Sequence, residues 1–138
     1  MDVSLFLLPS DIIKLIKLYL PNIVLVFLNK TYYLSLHYII KDILLPYHQS
    51  QYVRKTIRQD HEFVFKQIIH ERFAEWFLLK NYQSDNTIYS CYLYFIKAYC
   101  LHHDAPKCWK TLNDFLTKLG LCQNQHKKNT TRNVKWKP

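Results

Sequence analysis

The sequence predicts an all-α protein: a single compact domain of about five to six helices with a basic C-terminal tail. Apolar residues make up 49% of the 138-residue chain and recur at helical spacing over several long segments. Glycine occurs once, at Gly120. Glycine-rich phosphate loops, dinucleotide-binding turns, nucleophile elbows and glycine-dependent hairpins all need more glycine, and the composition excludes them.

Two helices are predicted in the first third of the chain. Ser10 is predicted to cap the first of them, and Asp11 suits the positive end of its dipole. Pro21 is predicted to end this helix. A second helix is predicted over residues 22–36, because this apolar run is too long for one strand and contains no turn signal. Pro46 marks the next boundary.

Three more helices and one loop are predicted in the middle of the chain. Residues 48–58 are polar and basic, and apolar residues recur at helical spacing over residues 63–79. Residues 81–86 have the composition of a loop. Residues 88–101 are apolar on nearly all sides, which predicts a central helix that other elements cover.

A last amphipathic helix is predicted before the tail. Asp104 is predicted to cap it, and Pro106 is tolerated in its first turn. The apolar stripe of this helix runs from Cys108 to Leu119. Gly120 is predicted to be the left-handed residue at which the helix ends. These elements predict a helical domain over residues 1–121 and a tail over residues 122–138.

The positive charge is concentrated in the tail. The chain carries a formal charge of +9, and residues 123–138 hold five bases and no acid. Such a tail indicates a polyanionic partner, which is nucleic acid, an acidic protein face or a membrane surface; a merely solubilising tail is the alternative. The predicted polyanion-binding residues are Lys127, Lys128, Arg132, Lys135, Trp136 and Lys137 in the tail, with Arg54, Lys55 and Arg58 as a second patch.

The cysteines are predicted to be free thiols in a reducing compartment. The sequence shows neither a secretory leader nor a membrane span, so a soluble intracellular protein is expected: in the host cytoplasm or nucleus, or in the virion, if the protein is viral. The order Cys100, His102, His103, Cys108, Cys122, His126 contains enough nitrogen and sulfur for zinc, but its spacing fits no familiar module. No metal and no cofactor are therefore predicted.

No catalytic residues are predicted. The ionisable clusters at residues 60–62 and 70–71 consist of sequence neighbours, which point to different sides of a helix. None of the four thiols is marked as activated. The expectation is therefore that the protein is not an enzyme.

The N-terminal segment resembles an F-box. It contains Leu8–Ile13 (LPSDII), the turn Tyr19–Pro21 (YLP), and Lys30 followed closely by Tyr32. The F-box pattern similarly begins with Leu-Pro-x-Asp/Glu and two aliphatic residues, reaches an aromatic-Leu-Asp/Pro turn and ends in a basic residue and an aromatic one. The similarity covers residues 8–37 and is in the style of the divergent F-box-like proteins of large DNA viruses.

This resemblance implies docking on the small adaptor of a cullin-type ubiquitin ligase. The residues implied to bind the adaptor are Leu8, Pro9, Ile12, Ile13, Ile16, Leu20, Pro21 and Leu25. The alternative is that these side chains pack against the protein's own helices.

Two functional hypotheses follow. The leading one is a non-enzymatic interaction adaptor, with residues 48–121 as a helical target-binding region. The alternative is a small basic structural or nucleic-acid-associated protein, such as a virion component. An adaptor-docking motif must leave several of its apolar side chains accessible, whereas a scaffold would bury them.

Overall fold

The computed structural model of the chain describes residues 8–43, 46–120 and 131–133. The chain divides into two compact units, residues 1–49 and residues 50–138. The described residues contain eight helices and three short strands, so the predicted mainly helical class is confirmed.

The first unit contains four helices: α1 (Ser10–Tyr19), α2 (Asn22–Leu25), α3 (Lys30–Leu36) and α4 (Tyr38–Ile43). The single helix predicted over residues 22–36 is wrong, because the chain turns between α2 and α3. Asn29 explains the restart, since its side-chain oxygen accepts a hydrogen bond from the Tyr32 backbone N–H at 2.9 Å. The predicted Ser10 cap is also wrong: Pro9 occupies the cap position, and Ser10 is the first helical residue.

The core of the first unit is small. Its buried hydrophobic side chains among the described residues are Leu25, Val26, Tyr33 and Ile40. They lie on α2, on the turn that follows it, on α3 and on α4. None of the α1 side chains is buried.

The second unit is built from four helices and a small sheet. In chain order the elements are α5 (Pro46–Arg58), α6 (Glu62–Leu78), β1 (Lys80–Ser84), β2 (Thr87–Cys91), α7 (Tyr92–His102), α8 (Pro106–Lys118) and β3 (Thr131–Asn133). The strand order is β1-β2-β3, and both strand pairs are antiparallel. The predicted helix over residues 63–79 is confirmed as α6.

Helix α7 lies at the centre of this unit. Leu93, Ile96 and Cys100 on α7 are fully buried. They belong to one hydrophobic cluster with residues of α5, α6 and α8. The predicted covered central helix is therefore confirmed from residue 92 onward.

A β-hairpin occupies residues 80–91, where the sequence predicts a loop and the first turn of a helix. Its strands pair through Tyr82 with Tyr89 and through Ser84 with Thr87. The hairpin was not predicted, because tight hairpin turns usually contain glycine and this segment has none. Here Asp85 takes the left-handed conformation, with φ of 51°, and Asp adopts that conformation more readily than most residues.

Two aspartates take the left-handed conformation where helices end. Asp60 follows α5 and Asp104 follows α7, each with φ of 50°. Asp104 was predicted to cap α8, and that prediction is wrong. Ala105 occupies the N-cap position, and its side chain makes no capping hydrogen bond. Gly120, with φ of 73°, takes the predicted left-handed conformation after α8.

Part of the predicted tail forms a strand. β3 lies beside β2, with Thr131 opposite Tyr89 and Arg132 opposite Ile88. The remaining predicted polyanion-binding residues of the tail lie outside the described residues: Lys127, Lys128, Lys135, Trp136 and Lys137. In the part of the chain that the structure describes, no helix is long and apolar enough to cross a bilayer.

Candidate functional site

One side of α1 presents a continuous apolar surface to solvent. Ile12, Leu15, Ile16 and Tyr19 follow one another at helical spacing, so their side chains share one face of the helix. Their exposed fractions are 44%, 53%, 38% and 82%. We call these four residues the α1 face. A surface of this kind marks an interaction site more often than an isolated exposed apolar residue does.

The neighbouring side of α1 contacts the rest of the first unit. The Lys17 ammonium lies 5.3 Å from the centre of the Tyr32 ring on α3, a cation–π contact. Ile13 precedes Lys17 by one turn and is half-buried. Because this side is directed at α3, the α1 face is left uncovered within the unit.

The structure separates the predicted adaptor-binding residues into two groups. Leu8, Pro9, Ile12, Ile16 and Pro21 are exposed. By contrast, Ile13 and Leu20 are half-buried and Leu25 is a core residue. Leu25 therefore supports the unit from inside and is not accessible for docking.

Sequence reasoning left two members of the α1 face out of the predicted set. Leu15 and Tyr19 are as exposed as Ile12 or more so. The signal for them was present, because they follow Ile12 at three and seven residues. Exposed apolar side chains continue into α2 and the turn after it: Ile23, Val24, Phe27 and Leu28.

The three predicted basic residues of α5 do not all face solvent. Lys55 and Arg58 are exposed. Arg54 is half-buried: its Nη2 donates to the Tyr82 hydroxyl at 3.2 Å, and its Cζ lies 5.3 Å from the centre of the Phe95 ring. Arg54 thus links α5 to the hairpin and to α7.

Asp60, one of the two acidic residues of the 60–62 cluster, caps a helix. Asp60 Oδ1 accepts from the Cys108 backbone N–H at 2.9 Å, and Oδ2 accepts from that of Lys107 at 3.3 Å. Both N–H groups belong to the first turn of α8, which has no acceptor within its own helix for them. Since both carboxylate oxygens are engaged in this way, Asp60 has a structural role.

The described thiols are packed in the core. Cys91, Cys100 and Cys108 are free and buried, as expected for thiols that pack as small hydrophobic groups. Burial, with a smaller contribution from the charge of Asp60, raises the pKa of the Cys100 thiol to about 12. Burial and a hydrogen bond to Asp60 also raise the pKa of Cys108. Cys100 and Cys108 are therefore protonated at neutral pH and weak nucleophiles.

The histidines and cysteines considered above as zinc ligands do not form a metal site in the described part of the chain. Within it, no three His, Cys, Asp or Glu side chains lie close enough together to hold a metal ion. Cys122 and His126 lie outside the described residues.

The chain was also compared with known proteins. No protein-family model, curated protein or solved structure matches it.

Proposed function

We propose that the protein is a non-enzymatic interaction adaptor of the F-box-like kind. Its first unit docks through the α1 face on the small adaptor subunit of a cullin-type ubiquitin ligase. Its second unit binds the target that is brought to the ligase. The exposure of the α1 face is the observation that carries this proposal.

Burial of the α1 face would supply a substantial part of a binding free energy. Fully burying an exposed Leu or Ile side chain contributes about 1.5–3 kcal/mol. Ile12, Leu15 and Ile16 are each exposed by more than a third of their surface, so much of that gain is still available. Tyr19 adds an aromatic ring, and aromatic residues are enriched at the centres of interfaces.

The small core of the first unit supports the same proposal. Among the described side chains of α2 to α4 and of the turn after α2, four apolar ones are buried. The apolar residues of α1 contribute none of that core. A partner that covers the α1 face would give these residues the apolar environment that the unit itself does not provide.

Single charges on α1 test the proposal. Ile12→Asp and Ile16→Asp each place a carboxylate on the α1 face, where docking would desolvate it. We expect each variant to lose co-purification of the ligase adaptor with the full-length protein, while far-UV circular dichroism shows unchanged helicity. The matched control is Leu18→Asp, because Leu18 is 81% exposed on another side of the same helix.

Three outcomes would overturn the proposal. The first is that wild-type protein purifies without any cullin-ligase adaptor from cells that express one. The second is that Ile12→Asp still retains the adaptor. The third is that Leu18→Asp loses it equally, since the effect would then not belong to the α1 face.

A further inference from the structure

Two helices of the second unit bring basic and aromatic side chains together on one surface. Arg54 and Arg58 are one turn apart on α5, and Tyr99 and His103 are one turn apart at the end of α7. Arg54 Cζ lies 5.8 Å from the centre of the Tyr99 ring. The Tyr99 and His103 rings are 4.2 Å apart, and the His102 ring is 4.9 Å from that of His103.

Arg58 and His103 also interact electrostatically. Desolvation, then the neighbouring His102 and then the positive charge of Arg58 lower the pKa of His103. Arg58 lies one turn after Arg54 on α5 and is within electrostatic range of His103. We call these five residues the α5–α7 surface: Arg54, Arg58, Tyr99, His102 and His103.

The positive charge of this surface is not neutralised by the acids near it. Within the described residues, no carboxylate pairs with Arg54 or Arg58. Asp60 follows α5 closely in sequence, but both of its oxygens accept from the backbone of α8. The guanidinium groups therefore keep their attraction for an external anion.

We propose that the α5–α7 surface binds single-stranded nucleic acid. The exposed Arg58 and the half-buried Arg54 lie beside aromatic rings there, and a single strand likewise carries phosphates beside unpaired bases. Guanidinium groups bind phosphate oxygens well, and bases can stack on the exposed His102 ring and on the accessible parts of the half-buried Tyr99 and His103 rings. An acidic protein would use the cations and leave the rings without a matching partner.

The pairing of β3 brings part of the basic tail into the same unit. In the sheet, Thr131 of β3 lies opposite Tyr89 of β2. The Tyr89 ring is 5.6 Å from that of Phe95, and Phe95 is also covered by Arg54. The strand of the basic tail therefore pairs with a strand whose Tyr89 packs against Phe95, in the same unit as the α5–α7 surface. This binding is independent of the docking of the α1 face.

Binding of a fluorescent oligodeoxythymidylate to the full-length protein, measured by anisotropy at several salt concentrations, tests the inference. Arg58→Ala should weaken binding several-fold and reduce the salt slope by about 0.7, the value for one phosphate contact on a single strand. The charge-matched control is Lys110→Ala, because Lys110 is exposed on α8 and outside the surface. We expect it to leave the slope unchanged.

Stacking is tested separately at Tyr99. Tyr99→Leu should weaken binding by about fivefold or more, whereas Tyr99→Phe keeps the ring and should bind as wild type does. Thermal melting of each variant verifies that it is folded. Should Tyr99→Leu fail to fold, the exposed Arg58→Ala variant still decides the inference.

Several results would overturn the inference. One is unchanged affinity in both Arg58→Ala and Tyr99→Leu. Another is an equal loss in Lys110→Ala, which would show attraction by net charge alone. A third is competition by polyglutamate as effective as competition by the unlabelled oligonucleotide, which would identify an acidic protein as the ligand. Equal affinity for duplex DNA together with a neutral Tyr99→Leu would exclude base stacking.

Discussion

Asp60 joins two turns that are far apart in the sequence. Its left-handed backbone ends α5, and its carboxylate binds the N–H groups of Lys107 and Cys108 at the start of α8. The negative charge also interacts favourably with the positive end of the α8 dipole. One side chain therefore helps to fix α8 against the turn between α5 and α6.

Removing this cap should lower the stability of the second unit. We expect Asp60→Ala to reduce the free energy of unfolding by about 1–3 kcal/mol, because two N–H groups lose their acceptors and alanine disfavours the left-handed conformation. Asp60→Asn keeps one acceptor oxygen and the tolerance for that conformation, so its loss should be smaller. Urea unfolding of both variants measures the difference. Equal losses would mean that the acceptor is not what matters.

The buried thiol of Cys100 makes stability depend on alkaline pH. Its pKa is about 12 in the folded protein and near 9 as an ordinary thiol. Between these values the unfolded chain has released the proton and the folded one still holds it. Because the unfolded state binds fewer protons, stability falls as pH rises through this window and is fully present below pH 9.

Replacing this thiol should weaken the alkaline dependence. Cys100→Ala should reduce the fall in stability by up to about 1.4 kcal/mol per pH unit between pH 9 and 12. The cavity that the variant leaves costs stability at every pH and so shifts the curve without changing its slope. Urea unfolding under reducing conditions across this range measures the slope. A slope equal to that of wild type would contradict the assigned pKa.

Tyr82 attaches the hairpin to two helices. The Tyr82 ring lies 4.7 Å from that of Tyr92 and 4.8 Å from that of Phe95. Its hydroxyl accepts from Arg54 Nη2. Aromatic pairs in such geometries contribute beyond their buried area, so Tyr82 fastens β1 to both α7 and α5.

Two substitutions separate the ring of Tyr82 from its hydroxyl. Tyr82→Phe removes only the hydrogen bond, and we expect it to cost about 0.5–1.5 kcal/mol of unfolding free energy. Tyr82→Ala also removes the ring contacts and should cost about 3 kcal/mol. Chemical denaturation, with amide exchange of the β1 and β2 backbone, measures both effects. If Tyr82→Ala left the protection of the hairpin unchanged, the ring contacts would not be what holds it.

The two units differ in how much of their apolar surface they bury. The second unit has a continuous core that runs from Val53 on α5 to Leu116 on α8. The first has a few buried side chains and an uncovered α1 face. This contrast favours a model in which the second unit provides most of the folding stability and the first provides a binding surface.

Deleting residues 123–138 tests the role of the tail in the whole protein. Leu116 is the last core residue in the described part of the chain, so we expect the truncated chain to keep its helicity and to melt only slightly earlier, because β2 loses β3 as a partner. The deletion also removes five bases, which should lower the salt slope of oligonucleotide binding. Circular dichroism melting and anisotropy measure the two effects. A truncated chain that does not fold would show that β3 is essential to the unit.

Local signals explain what could be predicted from the sequence. The apolar periodicity of residues 63–79, the covered helix that continues to Leu101, and the end of α8 at Gly120 all depend on neighbours within a few residues. The same is true of the amphipathic helix after Pro9, and its spacing was sufficient to indicate an apolar face there. These particular features depend on neighbours close along the chain, so the sequence alone was sufficient to predict them.

Only the tertiary structure decided the features that depend on distant partners. Residues 88–91 are apolar enough for a helix, and they become a strand because β1 and β3 pair with them. The cap of α8 comes from Asp60 rather than from Asp104, because the fold brings Asp60 to that helix end. The contact of Arg54 with Tyr99 joins α5 to α7 in the same way. Such contacts join residues far apart along the chain, and no local pattern of residues contains that information.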